Sequence, residues 1–94
     1  MIARTTITIK PSTSRLSYSD ASEIAQQAIR RGGGNDFLVD LEQTSEISTA
    51  ALARLVLLRS RLLKIGSDLH IQGLRGKAKD VYDICRLGEI LPHR

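Results

Sequence analysis

Ser48 and Thr49 are adjacent hydroxyls at the point where an acidic, turn-rich stretch gives way to a long apolar-periodic one. Ser48 suits the N-cap of the helix that starts there. Thr49 is then its first helical residue, set among free amides at the positive end of the helix dipole. A phosphoryl group on Thr49 would meet those amides and add about −1.5 to −2 charges to a loop already holding Glu42 and Glu46. On residue types alone the pair reads first as a cap and second as a phosphate acceptor.

Other reactive residues point to no chemistry of their own. His70 and His93 are not spaced with Cys85 or a carboxylate as a zinc site requires, and no Gly-x-Ser-x-Gly elbow accompanies the serines. His70 reads as a partly exposed strand residue, and Cys85 as a small core residue on an apolar helix face. Gly73-Leu74-Arg75-Gly76-Lys77 follows a strand and opens a helix but lacks phosphate-loop spacing, while Gly32-Gly33-Gly34 closes a helix. No catalytic residue, metal or cofactor is expected.

The 94 residues make one domain, 1–94, with a net charge of +4. Its core is aliphatic, with 41% apolar residues and 3% aromatic. The charge is unevenly placed: residues 32–48 hold four acids and no base, whereas 49–79 hold seven bases and Asp68. Such asymmetry suits an oriented interaction surface. Nucleic acid is disfavoured, because the bases are spread around a helix and aromatics for stacking are nearly absent. A single cysteine, the polar residues following Met1-Ile2-Ala3-Arg4 and the lack of a long apolar run predict a cytoplasmic protein without membrane insertion.

The elements that must position Ser48 and Thr49 follow from periodicity. Thr5 to Lys10 alternates as a strand near a sheet edge, stopped by Pro11, and Leu16 with Tyr18 suggests a short second strand. Asp20 and Glu23 have capping-box spacing ahead of a helix carrying Ala21, Ile24, Ala25, Ala28 and Ile29 on one face. Phe37 to Leu41 is a central strand buried on both faces. From Ser48 to Ile65 a long helix sets Ala51, Leu52, Leu55, Val56, Leu58, Leu62 and Leu63 on a broad face, with Arg59 inside that arc and Leu57 outside it. Leu69-His70-Ile71 is a further strand. Ala78, Val81, Tyr82 and Cys85 mark a last helix closed by Gly88. Successive strand–helix–strand steps imply an α/β fold with a small mixed, partly parallel β-sheet flanked by helices.

Val39-Asp40-Leu41, then Ile47-Ser48-Thr49-Ala50-Ala51-Leu52, Ile65-Gly66-Ser67, Leu69 to Gly73, and Lys77 through Leu87-Gly88 to Ile90-Leu91-Pro92 follow one another as in a known family. The chain resembles the STAS domain of sulfate transporters and anti-sigma factor antagonists, closely over 37–92 and loosely over 1–36. In the antagonists the serine of an Asp-Ser-Ser-Gly-Leu segment is phosphorylated by a kinase that is also the anti-sigma factor. The resemblance assigns that role to Thr49, with Ser48 the second choice. Ser48 stands where the family has aspartate, Ala50 where it has the second serine, and Ala51 where it has glycine.

The resemblance implies an adaptor without catalysis. It would bind a kinase or anti-sigma partner through the 42–49 loop and the following helix, with Glu42, Thr44, Glu46, Ser48, Thr49, Ala50 and Arg54 as the contact set. The threonine, the short chain and Ile71-Gln72-Gly73-Leu74 are also similar to the small cytoplasmic STAS subunit of Mla-type phospholipid transporters, which binds an ATP-binding cassette ATPase. The two readings differ in partner, and oligomeric state stays open.

Overall fold

The computed structural model describes residues 5–94, in which the periodic segments form β1 (Thr6–Ile9), β2 (Arg15–Leu16), α1 (Tyr18–Arg31), β3 (Asp36–Asp40), β4 (Glu46–Ile47), α2 (Thr49–Lys64), β5 (Asp68–Gln72) and α3 (Gly76–Ile84). Met1 to Arg4, on which part of the leader argument rests, lie outside the described residues.

β3 pairs in parallel with β1 on one side and β5 on the other. That central place matches its continuous apolar run, since β3 residues pointing to either face are buried. Register sets Ile7 beside Phe37 and Leu69, and Ile9 beside Val39 and Ile71, so these six side chains share one face of the sheet. The core continues into Ala21, Ile24, Ala25 and Ala28 of α1 and Leu52, Leu55, Leu58 and Leu62 of α2. Each fully buried leucine or isoleucine contributes about 1.5–3 kcal/mol. Right-handed crossovers through the order β1-β3-β5 put α1 and α2 on the same face, where they pack together.

The chain's last residues extend the sheet beyond β5. The Ile71 N–H donates to the Pro92 carbonyl at 3.0 Å, and the Arg94 N–H donates to the Ile71 carbonyl at 2.8 Å. Every strand pairing among the described residues is parallel. The fold is the expected small α/β arrangement of sheet and helices.

Arg59 explains why a charge sits inside the apolar arc of α2. Its Nε donates to Asp68 Oδ1 at 2.9 Å, and its Nη1 reaches the Glu89 and Ile90 carbonyls at 3.5 and 3.4 Å. One guanidinium thus ties α2, the start of β5 and the C-terminal segment. Burial pushes the Asp68 carboxyl up, but the Leu69 N–H and the Arg59 guanidinium outweigh it and hold the group below its usual range.

Several local expectations are corrected. α1 is capped by Ser17, not Asp20: the Asp20 N–H donates to Ser17 Oγ at 3.2 Å and Asp20 Oδ2 accepts from the Ser17 N–H at 2.9 Å. The box starts three residues earlier than Asp20–Glu23, because Ser17 follows β2 directly and is already extended. Tyr18 is therefore the exposed first residue of α1, not part of a strand. Ile29 and Leu63, counted on apolar faces, are exposed near the ends of their helices. Cys85 is exposed as well, since α3 ends at Ile84 and Arg86 turns the chain with φ 54, ahead of Gly88. Leu57 is exposed, as its place outside the arc requires.

Candidate functional site

Three parallel strands end at one edge of the sheet, so the segments that follow them, 10–14, 41–48 and 73–75, gather there. This is the edge at which open α/β sheets ordinarily present their sites. Here the described strands β1, β3 and β5 succeed one another without a reversal of direction in the sheet, so the edge has no topological switch point of the kind that forms the usual ligand crevice. What the edge offers is a surface of loops and helix starts.

The 42–48 segment is held from behind by residues 13–16. Thr44 Oγ1 donates to the Thr13 carbonyl at 2.9 Å, the Ser45 and Glu46 N–H groups donate to the Ser14 carbonyl at 3.0 and 3.1 Å, and β2 pairs in parallel with β4. From the front, Asp40 Oδ1 accepts the Glu42 N–H at 3.0 Å, and Gly73 packs on Glu42. A Cβ at Gly73 would stand 2.9 Å from the Glu42 nitrogen, which with φ +79 requires glycine. α3 completes the frame, its Ala78 N–H donating to the Ser45 carbonyl at 3.1 Å.

Within that frame Ser48 caps α2: its Oγ accepts the Ala51 N–H at 3.0 Å and its carbonyl accepts that of Leu52 at 3.1 Å. The Ser48 Oγ thereby accepts one first-turn amide. Thr49 is exposed at the next position, where the helix ladder gives the first amides no carbonyl. The first turn of α2 contains no acidic residue, so its dipole end carries no compensating charge from its own side chains.

The structure divides the predicted contact set. Glu42, Ser48, Thr49 and Ala50 are exposed and Glu46 is half-buried. Thr44 is corrected as a contact: it is 0% exposed, and its hydroxyl is spent on Thr13. Arg54 is half-buried, with Nη1 shielded from solvent and unpartnered among the described residues. Nor does the acidic stretch present bare charge. Glu46 sits between Arg15 at 2.8 Å and Lys77 at 3.5 Å, and Glu42 lies 3.5 Å from Lys10. Such exposed pairs are worth about 0–1 kcal/mol each, so they moderate the local field more than they stabilise the fold.

Lys10, Thr13, Arg15, Gly73 and Lys77 belong to this edge although sequence reasoning left them out of the contact set. Gly73 alone carried a local signal, a glycine at the end of a strand. His70 Nε2 is 3.9 Å from Asp68, and His93 Nε2 accepts the Leu74 N–H at 3.2 Å. No group of three metal-ligating residues occurs among the described residues. Lys77 of the glycine-rich loop lies 3.5 Å from Glu46, so an anion at that loop would compete with Glu46 for its one lysine.

The sequence matches no family model, and no curated protein matches it. Its fold does have relatives among solved structures. Murine Solute Carrier 26 family member A9, an anion transporter in the inward-facing state, matches 95% of this chain with a TM-score of 0.72 at 14% identity. This chain spans 15% of that transporter's length. At that identity the likeness shows the fold alone, and the fold seen here is STAS-like. No described helix is long and apolar enough to cross a membrane.

Proposed function

We propose that this chain is a non-catalytic, cytoplasmic STAS adaptor of the anti-sigma antagonist type, binding a kinase or anti-sigma partner through the 42–49 loop and the first turn of α2. Phosphorylation of Thr49 is its switch. One observation carries the reading. Thr49 offers an exposed hydroxyl on a helix start with no acid of its own, beside a Ser48 hydroxyl already used as the cap. Phosphate there would be favoured by the helix end and would change the charge of the surface without disturbing the core.

Intact-mass measurement of the protein isolated from its own cells tests the modification. A single phosphate, absent from Thr49→Ala, is expected. Phosphate on another residue, or none under any growth condition, would remove the switch.

The exposed Leu57 on α2 favours a second reading, an accessory subunit of an ATP-binding cassette transporter of the Mla type. That reading requires stable co-purification with an ATPase, and loss of the complex on Leu57→Lys.

A further inference from the structure

β1 ends the strand order, and no described strand pairs with its outer edge. The Thr5 carbonyl accepts from the Asp36 N–H, so Thr5, Ile7 and Ile9 turn their backbone groups toward β3. Thr6 and Thr8 therefore turn theirs outward, because successive residues of a strand alternate. Edges of this kind are usually blunted by a charge, a proline or a bulge within the strand. Thr6-Ile7-Thr8-Ile9 has none; Lys10 and Pro11 come only after it.

Beside this edge lies a groove of about 430 Å³ between β1 and α1, lined by Ile7, Ile9 and Ile24 but mostly by polar and charged residues, among them Glu23, Gln27 and Arg31. Ile7 and Ile9 are only half-buried in it. Edge and groove together describe a site for one further strand.

We propose that the occupant is β1 of a second copy of this chain, paired antiparallel about a two-fold axis at Thr8. The strand is complementary to itself in that register. Thr8 faces Thr8 of the other copy and exchanges both backbone hydrogen bonds with it, while Thr6 meets Lys10. Ile7 meets Ile9 on the helix-covered face, so the isoleucines of each copy enter the groove of the other. A shift by one residue would set isoleucine against threonine and put the two helix layers on opposite faces.

Charge supports the same partner. α1 carries Asp20 and Glu23 in its first half and Arg30 and Arg31 in its last turn. The two-fold reverses one α1 relative to the other, so the acidic end of each faces the basic end of its mate across the joined strands. The result is a closed, continuous sheet of both copies with no free β1 edge. It engages the loop after β1 but not Ser48 or Thr49, which lie outside the groove.

Analytical ultracentrifugation over a concentration series tests the proposal, with wild type, Thr8→Pro and Thr8→Lys. Proline removes only an outward N–H, and lysine sets two like charges opposite each other at the axis. Wild type is expected to approach twice its 10.4 kDa mass, and each variant to raise the dissociation constant by at least about tenfold while keeping its helical circular dichroism. Exchange of the Thr6 and Thr8 amides should slow with concentration in wild type only. A 10.4 kDa species at millimolar concentration, or a dimer unmoved by both substitutions, overturns the proposal. Either result leaves the Thr49 reading to its own test, because partner capture is read on a different surface.

Discussion

The Ser48 N–H donates to the Leu16 carbonyl at 3.1 Å, and that bond sets the N-caps of two helices, Ser17 and Ser48, side by side. The parallel contact of β2 with β4 continues into it, so α1 and α2 start from one short ribbon. The position of Thr49 is consequently fixed by residues far away in sequence.

Both caps should be measurable. Ser17→Ala and Ser48→Ala are each expected to cost about 0.5–2 kcal/mol, because each leaves a first-turn amide without its acceptor. Thermal unfolding checks this, at about 4–8 °C per kcal/mol for a domain of this size.

Thr49→Glu is expected to stabilise the fold slightly, by about 0.3–1 kcal/mol, since α2 has no acid in its first turn. The gain should shrink with added salt. A melting temperature that falls instead would show Thr49 to have a packing role.

Asp68 gives a pH dependence with a definite sign. Its carboxyl is held below the ordinary aspartate value, so the folded state favours the charged form. The stabilisation is present above that value and is lost as pH falls through the lower folded pKa. Asp68→Asn should cost about 1–2 kcal/mol at neutral pH through the lost charged hydrogen bonds to Arg59 and Leu69. The gap from wild type in denaturant titrations should close as pH is lowered from about 4 toward 2.

Gly73→Ala is expected to destabilise by about 1–3 kcal/mol, and by more than Gly34→Ala. Both glycines have positive φ, but a Cβ at Gly34 meets nothing within 4 Å whereas one at Gly73 meets the Glu42 backbone. The comparison of the two melting temperatures separates backbone strain from collision, and the collision should also disturb the 42–48 segment.

Local chemistry made much of this legible. Ser48 as cap, Thr49 as first helical residue, the buried run of β3 and the exposed Leu57 all follow from spacing within one element. The ends of α1 and α3 do not. Ser17 caps because β2 delivers the chain extended at that point, and β2 exists only by pairing with residues 46–47. Cys85 is exposed because the chain reverses at Arg86, although helical periodicity would have carried the apolar face further. The charge boundary at Ser48 was visible in sequence, but its matching by Lys10, Arg15 and Lys77 was not. Those bases come from three separate segments brought together at one sheet edge.

On the proposed reading, charge at Thr49 controls capture of a protein partner. Native pull-downs from the source cells with wild type, Thr49→Ala and Thr49→Glu, quantified by mass spectrometry, test it most directly. Wild type and Thr49→Ala should hold a kinase or anti-sigma partner, and Thr49→Glu should recover it at least about tenfold less. Equal recovery of the same partners by all three would contradict it.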